Sequence, residues 1–237
     1  MKIALVYDRV NKIGGAERVL EALHEIFPNA PLYTAVYNPN TAPWAEKFNV
    51  IPSFLNKFPF AKSSHEFYPW LTPLAFESFD FSEFEVVISV TSEAAKGIIT
   101  KPKTLHICYC LTPTRYLWSG YEDYFKNKAF RFLSQPVVAY LRRWDKVAAQ
   151  RPDVYIAISE NVKKRIKKYY GRDSEVIYPP VDIDKLPIPN FQFPIGEYFL
   201  IVSRLVPYKK VDIAIQAFNE LGLPLKIIGV GREMGRL

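Results

Sequence analysis

Short apolar runs alternate with stretches of helical periodicity along most of the chain, and this alternation predicts its secondary structure. Apolar runs of strand length lie at 3–7, 31–36, 48–51, 85–90, 104–111, 154–158, 175–178, 199–202 and 225–228. Apolar residues recur at helical spacing at 16–27, 128–150 and 160–170, and again from Val211 onward. Strands that alternate with helices are typical of a parallel sheet, so we predict an α/β fold.

A proline-rich stretch breaks this pattern between residues 181 and 195. Its prolines at 187, 189 and 194 lie in a segment without clear periodicity, which is typical of a linker. We therefore divide the chain into a first domain at 1–183, a linker at 184–195 and the start of a second domain at 196–237. Because two predicted strands cannot close a core of their own, we expect the chain to be truncated relative to a complete two-domain protein.

Composition narrows the class of protein. The 237 residues are 49% hydrophobic and 23% charged, which is typical of a globular protein and excludes a disordered one. The net charge of +7 favours an anionic binding partner, but it does not distinguish phosphates, nucleic acid and an anionic membrane. No apolar run approaches the roughly 20 residues that a membrane-spanning helix needs.

The two cysteines, Cys108 and Cys110, lie two residues apart in a predicted strand. Their side chains share one face, and we interpret them as reduced core thiols of a cytosolic protein. No cluster of histidines and cysteines accompanies them, which argues against a metal site.

Aromatic residues make up 15% of the chain, and they are dense between 54 and 80. Prolines interrupt this segment, so we predict one or two broken helices that pack on a face of the sheet as ordinary core. The alternative is a groove for an apolar acceptor or a surface that contacts a membrane.

Two cations lie on the turn that follows the predicted strand at 199–202. Arg204 and Lys209 follow the carboxyl end of that strand, where open α/β sheets bind ligands. A guanidinium and an ammonium aimed at one point suit a phosphate or a pyrophosphate. Two solvated surface charges are the alternative interpretation.

A glycine pair, Gly14 and Gly15, separates the first strand from the first helix. Glycines there let a ligand approach the backbone, and the helix N-terminus offers N–H groups and a positive dipole end. The pair does not form a G-x-G-x-x-G fingerprint, and a plain tight turn is the alternative.

Five segments together give the chain a family resemblance. It resembles the retaining glycosyltransferases of family 4, which have the GT-B architecture of two Rossmann-like domains, and among them the bacterial polysaccharide and O-antigen mannosyltransferases. The segments occur in the family's order and span almost the whole chain: GGAER at 14–18, YCLTPTRYLW at 109–118, ISEN at 158–161, YPPVD at 178–182 and VSRLVPYK at 202–209.

The resemblance implies a nucleotide-sugar donor, GDP-mannose or a UDP-hexose, that binds between the domains. Arg204 and Lys209 match the catalytic pair that holds the donor's diphosphate. Gly14 and Gly15 match a loop that approaches the donor phosphate and sugar. Fixed cations and backbone N–H groups stabilise the departing diphosphate without a metal, so we expect no cofactor.

The resemblance also implies an acceptor and sugar side, to which it assigns Glu17, Leu111, Thr112 and Arg115. Leu111 stands where the family commonly has a histidine that helps to orient the transferred sugar. His106 cannot replace that histidine, because five residues along a strand cover about 17 Å and end on the opposite face. The family's motif of two glutamates separated by seven residues would lie beyond residue 237.

We therefore expect a cytoplasmic glycosyltransferase, peripheral at the inner membrane face, that acts in cell-surface glycan synthesis. It would move a hexose such as mannose to a lipid-linked or polysaccharide acceptor with retention, and it would have no nucleic-acid partner. One alternative is a non-catalytic glycan- or acceptor-binding remnant, marked by Leu111. The other is a dinucleotide-dependent Rossmann enzyme that uses Gly229 and Gly231.

Overall fold

The computed structural model describes residues 1–125, 127–181 and 196–237. The chain divides into two compact units, Met1–Val181 and Asp182–Leu237. The predicted linker at 184–195 lies outside the described residues, so the predicted domain bounds stay a prediction.

The first unit contains a seven-stranded sheet in which every neighbouring pair of strands is parallel. Its strands are β1 (Ile3–Tyr7), β2 (Leu32–Thr34), β3 (Val50–Pro52), β4 (Val86–Thr91), β5 (Leu105–Cys110), β6 (Val154–Ala157) and β7 (Glu175–Val176). Their spatial order is β3-β2-β1-β4-β5-β6-β7. The order reverses between β1 and β4, as in doubly wound sheets, which confirms the predicted α/β, Rossmann-like fold.

Helices lie between the strands along the chain in both units. The α-helices of the described residues are α1 (Gly15–Ile26), α2 (Thr72–Glu77), α3 (Tyr121–Tyr124), α4 (Lys128–Ala148), α5 (Glu160–Tyr170) and α6 (Val211–Leu221). Short 3₁₀ helices lie at Pro43–Lys47, Phe54–Lys57, His65–Phe67, Ala95–Gly97 and Pro207–Lys209. Within the described part of the chain, no helix has both the length and the apolar character that crossing a bilayer would require.

Strand β1 is buried on both faces, which explains its unbroken apolar run. On one face, Leu5 packs in a cluster with Val19 and Leu20 of α1. On the other face, Ala4 and Val6 belong to a second cluster. Its buried aromatic members are Tyr33, Phe76, Phe81 and Phe84, and the half-buried Phe79 and Trp144 pack against it.

The aromatic stretch at 54–80 is part core and part surface. It forms two short 3₁₀ helices and α2, in agreement with the predicted broken helices. Phe76 is fully buried, whereas Phe60 and Phe67 are 75% and 64% exposed. The interpretation as ordinary core therefore holds for Phe76 and is wrong for Phe58, Phe60, Phe67 and Trp70, which are exposed.

The predicted bounds of α5 are confirmed, as is the interpretation of the two cysteines as reduced core thiols. Ser159 Oγ accepts a hydrogen bond from the Val162 N–H at 3.3 Å, and Gly171 ends the helix at φ +70° in the left-handed region. Cys108 and Cys110 are free and buried, and both belong to the cluster that contains Val162.

The second unit contains β8 (Phe199–Val202) and β9 (Leu225–Ile228), which pair in parallel and have the predicted bounds. The pairing continues beyond the strands: the Ser203 N–H donates to the Ile228 carbonyl at 3.0 Å, and the Leu205 N–H donates to the Val230 carbonyl at 2.9 Å. This extension fixes the backbone of the turn that follows β8.

A buried ion pair joins the segment after β4 to α4. Lys96 and Asp145 are each 1% exposed, and 2.5 Å separates Lys96 Nζ from Asp145 Oδ1. The same carboxylate accepts hydrogen bonds from the Thr114 hydroxyl at 2.9 Å and from the Trp118 indole N–H at 2.7 Å. Burial lowers the pKa of Lys96, but the Asp145 carboxylate outweighs burial and the net shift is upward, so the lysine stays charged.

We expect Lys96→Met to lower the free energy of unfolding by about 3–5 kcal/mol, because it leaves the Asp145 carboxylate buried without its cation. Adding Asp145→Asn should recover part of that loss, since it removes the unpaired charge and its amide oxygen can still accept from the Trp118 N–H while its NH2 faces the Thr114 hydroxyl. Urea unfolding followed by circular dichroism measures both effects, with exposed Lys101→Met as the control. Equal stability of Lys96→Met and Lys101→Met would contradict this account.

Candidate functional site

The carboxyl edge of the seven-stranded sheet gathers the predicted site residues of the first unit. Gly14 and Gly15 follow β1, whereas Leu111, Thr112 and Arg115 follow β5. Open α/β sheets bind ligands at this edge, next to the point where strand order reverses. The structure thus places these residues at one edge, and it adds a group of charged residues that the sequence analysis did not single out.

The two glycines lie at the start of α1. Gly14 is the N-cap residue, without a side-chain hydrogen bond to the helix, and Gly15 is the first helical residue; both are exposed. A β-carbon on Gly14 would lie 3.1 Å from Glu17 Oε2, whereas a β-carbon on Gly15 would have no neighbour within 4 Å. Gly14 is therefore constrained by Glu17, and Gly15 faces open space.

Glu17 points into the first unit. It is 3% exposed, and its Oε1 accepts a hydrogen bond from the Tyr7 hydroxyl at 2.8 Å. Burial and the Glu17 carboxylate raise the pKa of Tyr7, so its hydroxyl remains a donor. This bond ties α1 to β1, and the assignment of Glu17 to the acceptor and sugar side stays a prediction.

The loop after β5 begins with Leu111 and Thr112. The Leu111 N–H donates to the Thr91 carbonyl at 2.8 Å, and its side chain packs against the cluster that contains Tyr7. Thr112 Oγ1 lies 3.5 Å from Nη1 of Arg165, which is a weak donor contact. The Arg115 carbonyl accepts a hydrogen bond from the Gly120 N–H at 2.8 Å, which closes a turn within the loop.

Asp145 anchors this loop through Thr114 and Trp118, and the sequence contained a signal for it. Asp145 falls on the apolar face of α4, at helical spacing from Val138, Leu141 and Ala148, all of which are buried. An acidic residue at a core position needs a buried partner. Nothing in the sequence around its partner Lys96 indicates burial.

Asp8 organises the segment that follows β4. Its carboxylate accepts hydrogen bonds from the Thr91 hydroxyl at 2.7 Å and from four successive backbone N–H groups at 2.7–3.0 Å. Those N–H groups belong to Ser92, Glu93, Ala94 and Ala95. The end of β1 thereby fixes the backbone at the end of its neighbour β4.

Three charged or titratable side chains meet beside Asp8. Arg9 Nη1 forms an ion pair with Glu93 Oε1 at 2.5 Å, and His65 Nε2 lies 4.0 Å from Glu93 Oε2. Burial lowers the pKa of His65, and the Glu93 carboxylate only partly counteracts it, so His65 is neutral near pH 7. The sequence gives no local sign of the contact between His65 and Glu93, because the two residues lie far apart along the chain.

His106 is a core residue. It is fully buried on β5, where Nε2 lies 2.8 Å from Ser89 Oγ, and burial lowers its pKa to about 3. A neutral imidazole at this position packs between strands and does not replace a histidine at position 111.

In the second unit, Arg204 and Lys209 both contact Tyr208. Arg204 Nη2 donates to the Tyr208 hydroxyl at 2.7 Å, and Lys209 Nζ lies 5.8 Å from the centre of the Tyr208 ring. Both cations are exposed, while Leu205 between them is buried. The turn after β8 thus presents a guanidinium and an ammonium around one ring.

Gly229 and Gly231 have a structural explanation within the second unit. A β-carbon on Gly229 would lie 1.8 Å from the Ser203 carbonyl oxygen, and one on Gly231 would lie 2.0 Å from that of Leu205. Only glycine allows the two backbones to approach this closely. The close backbone pairing therefore accounts for both glycines without a dinucleotide.

Among the described residues, no three histidine, cysteine, aspartate or glutamate side chains are placed to share a metal ion.

A family model for Glycosyltransferase Family 4 matches residues 13–185, which is well over half of the chain. The chain belongs to glycosyltransferase family 4. This domain includes the glycine pair, the loop after β5 and α5. A search of curated proteins found no match.

Three solved structures resemble the chain at low sequence identity. HepE from Anabaena, crystallised in complex with UDP, is 17% identical with a TM-score of 0.56, and the match covers 97% of this chain and 69% of HepE. The wall teichoic acid polymerase TagF matches at 11% identity and a TM-score of 0.44, over 97% of this chain and 55% of TagF. The glycotransferase of kitacinnamycin matches at 13% identity and a TM-score of 0.40, and the match covers 96% of this chain and 65% of the glycotransferase chain. The first likeness supports the fold of this family 4 glycosyltransferase.

Gly14→Ala and Gly15→Ala of this family 4 glycosyltransferase should have opposite effects on stability. Gly14→Ala should cost about 1 kcal/mol, because the new methyl group crowds a Glu17 carboxylate that Tyr7 holds in place. Gly15→Ala should be neutral or stabilise by up to about 1 kcal/mol, because its methyl group meets open space and alanine favours the helix. Thermal unfolding of the two variants measures the difference, and a larger loss in Gly15→Ala would contradict the geometry.

Proposed function

We propose that this family 4 glycosyltransferase moves a hexose, with mannose as the first candidate, from a nucleotide-diphosphate sugar to a lipid-linked or polysaccharide acceptor. The transfer would retain the anomeric configuration and serve cell-surface glycan synthesis. Family membership supports sugar transfer in general. The observation that carries the donor assignment is the pairing of Arg204 and Lys209 around Tyr208 on the turn after β8.

The chemistry of transfer explains why two cations are useful there. Cleavage of the bond between the sugar and the phosphate leaves negative charge on the departing diphosphate. A guanidinium binds phosphate oxygens in a fork, and an ammonium adds a compact point charge. Because the backbone pairing of Ser203 and Leu205 fixes the turn, Arg204 and Lys209 would stabilise that charge with little reorganisation. We propose that the diphosphate is stabilised in this way without a metal ion.

Gly14 and Gly15 are proposed to approach the donor phosphate and sugar. The start of α1 carries the positive end of the helix dipole and N–H groups that face outward. Gly15 has open space where a side chain would be, so a ligand can reach the backbone there. The exposure of both glycines is consistent with this proposal.

Two alternative functions have weaker support. A dinucleotide site at Gly229 and Gly231 is disfavoured, because close packing against Ser203 and Leu205 accounts for both glycines. A non-catalytic remnant rests on Leu111, whose side chain packs against core residues and offers no polar group to a sugar. Transfer by the natural protein with Leu111 in place would exclude that alternative.

Arg204→Ala and Lys209→Ala should each reduce kcat/KM for the nucleotide-sugar by about 100-fold or more, because each removes charge stabilisation from the leaving diphosphate. Donor hydrolysis and transfer are measured on the natural protein with GDP-mannose and UDP-hexoses. Lys101→Ala removes one exposed positive charge elsewhere and is the matched control. Activity within twofold of the wild type in both site variants, with Lys101→Ala also active, would overturn the donor assignment.

We also propose peripheral contact with an anionic membrane through the first half of α4. Phe130, Phe132 and Leu133 are 57%, 72% and 75% exposed, which is unusual for three neighbouring apolar side chains. The same half of α4 carries the basic residues Lys128 and Arg131. The single acidic residue between 127 and 148 is Asp145, which is buried against Lys96. A helix with exposed phenylalanine and leucine and no exposed acid suits an anionic lipid surface.

Replacing Phe132 and Leu133 by serine should weaken binding to phosphatidylglycerol vesicles by about tenfold or more, because two side chains lose their burial in the lipid interface. Co-sedimentation with vesicles measures the effect, and phosphatidylcholine vesicles should bind the wild type only weakly. The control replaces Ile26 and Ile99 by serine, since these residues are also exposed but lie elsewhere. An equal loss of vesicle binding in both double variants would contradict the assignment. Equal binding of the wild type to phosphatidylglycerol and phosphatidylcholine vesicles would also contradict it.

A further inference from the structure

A phenylalanine with a left-handed backbone lies on the segment that follows β3. Phe60 has a φ of +58°, and among the described residues it shares a positive φ with one other non-glycine residue, Lys210. A bulky side chain in this region crowds its own backbone, so the conformation is unfavourable in itself. Strain of this kind persists only where the surrounding structure holds it, and it concentrates at functional sites.

Hydrogen bonds to the backbone hold Phe60 in this conformation. Its carbonyl accepts from the N–H groups of Ser63 and Ser64 at 3.1 and 2.8 Å, and from Ser63 Oγ at 3.2 Å. The Tyr68 hydroxyl donates to the Pro59 carbonyl at 2.9 Å. None of these bonds uses the Phe60 ring, so the backbone is fixed while the ring is left for another purpose.

The Phe60 ring is displayed to solvent. It is 75% exposed, and it belongs to none of the apolar clusters that the described residues form. Residues 58–70, the aromatic loop, contain three further exposed aromatic side chains, Phe58, Phe67 and Trp70. The Phe58 ring packs edge-on against Tyr68, with 5.4 Å between the ring centres, which supports the loop next to Phe60.

The aromatic loop lies at the carboxyl edge of the seven-stranded sheet. It follows β3, and its Lys62 carbonyl accepts a hydrogen bond at 3.1 Å from Asn11 Nδ2 in the loop after β1. The same loop after β1 leads to Gly14 and Gly15. The exposed rings therefore lie at the edge of the sheet that carries the candidate site of the first unit.

The exposed apolar side chains of α4 extend from this same edge. Asp145 is paired with Lys96, which follows β4, and α4 leads from there back to the start of β6. The residues of α4 that precede Asp145 therefore continue beyond the carboxyl edge of the sheet. They include the exposed Phe130, Phe132 and Leu133.

Shape and charge favour a lipid bilayer as the partner of the aromatic loop. A small apolar ligand is held in a concave pocket, whereas the Phe60 ring protrudes. The exposed Lys57 and Lys62 flank Phe60, and they outnumber the one acidic residue of the loop, Glu66. Aromatic rings beside lysines suit the interface of an anionic membrane. Because the backbone is already fixed, insertion of the ring costs little further ordering.

We propose that the aromatic loop inserts Phe60 and Phe67 into the interface of an anionic bilayer, alongside the first half of α4. The carboxyl edge of the first unit then faces the membrane. The inference rests on the proposed function, since this orientation is useful to an enzyme whose acceptor is lipid-linked. It adds a second contact and a direction to the proposed membrane contact of α4.

The orientation is tested with a tryptophan placed at one exposed position at a time. Phe60→Trp and Ile26→Trp are compared on phosphatidylglycerol vesicles with brominated acyl chains, which quench indoles that enter the bilayer. Ile26 is the control, because it is exposed and ends α1 at the opposite edge of the sheet. We expect the added fluorescence of Phe60→Trp to be largely quenched and that of Ile26→Trp to be retained. Equal quenching of the two would overturn the orientation.

Phe60→Gly separates a membrane role from a structural role of the ring. Glycine accepts the left-handed backbone, so the midpoint of thermal unfolding should stay the same or rise. Loss of the ring should weaken co-sedimentation with phosphatidylglycerol vesicles about tenfold. Phe67→Ser should weaken it similarly, whereas Ile26→Ser should bind as the wild type does. Wild-type binding by the folded Phe60→Gly and Phe67→Ser variants would overturn the insertion.

The outcomes separate this inference from the proposed function. If replacement of Phe132 and Leu133 weakens vesicle binding and Phe60→Gly does not, the contact of α4 stands and the insertion of the aromatic loop is wrong. Absence of vesicle binding by the wild type would overturn both membrane contacts without affecting sugar transfer. Unchanged transfer by Arg204→Ala would instead overturn the donor assignment and leave the vesicle results intact.

Discussion

The buried ion pair between Lys96 and Asp145 holds together three parts of the first unit that carry its candidate chemistry. Lys96 belongs to the segment after β4, Asp145 to α4, and the partners Thr114 and Trp118 to the loop after β5. An ion pair this deeply buried pays a large desolvation cost, so hydrophobic replacements would often be as stable. The pair instead determines how α4 and the two loops are arranged, because only one arrangement satisfies all the hydrogen bonds of the Asp145 carboxylate.

Asp8 extends the same constraint to the neighbouring strand. Its carboxylate accepts from successive backbone N–H groups after β4, while Lys96 Nζ binds the Glu93 carbonyl in the same segment. Two buried charges of opposite sign thus bind opposite polar groups of one short stretch of backbone. Because hydrogen bonds are directional and packing is not, this edge of the sheet is fixed more tightly than its apolar faces.

Much of the fold could be predicted from local pattern, and the buried charges could not. The apolar run at 3–7 marks a strand because both of its faces are buried, and Ser159 and Gly171 mark the ends of α5 because capping is a local interaction. Strand β2 is shorter than its apolar run, since pairing with β1 ends at Thr34. Lys96 and Asp145 lie 49 residues apart, and nothing near Lys96 in the sequence distinguishes a buried lysine from a solvated one. The interpretation of residues 54–80 failed at Phe60 and Phe67 for a related reason, because an aromatic residue does not reveal which of its neighbours will cover it.

In the second unit, the structure gives the cationic turn after β8 a defined geometry that its sequence alone does not indicate. The spacing of Arg204 and Lys209 on a turn does not distinguish them from ordinary surface charges. Gly229 and Gly231 let the backbone beyond β9 approach Ser203 and Leu205 so closely that the pairing of β8 and β9 continues through the turn. Leu205 is buried, so its neighbour Arg204 is displayed outward from a fixed backbone. Tyr208 then supports both cations from one side, Arg204 through its hydroxyl and Lys209 across its ring. Strand pairing, the buried Leu205 side chain and the Tyr208 ring thus hold the cationic turn in place. Binding of an anionic ligand then costs less side-chain entropy than it would with two mobile surface charges.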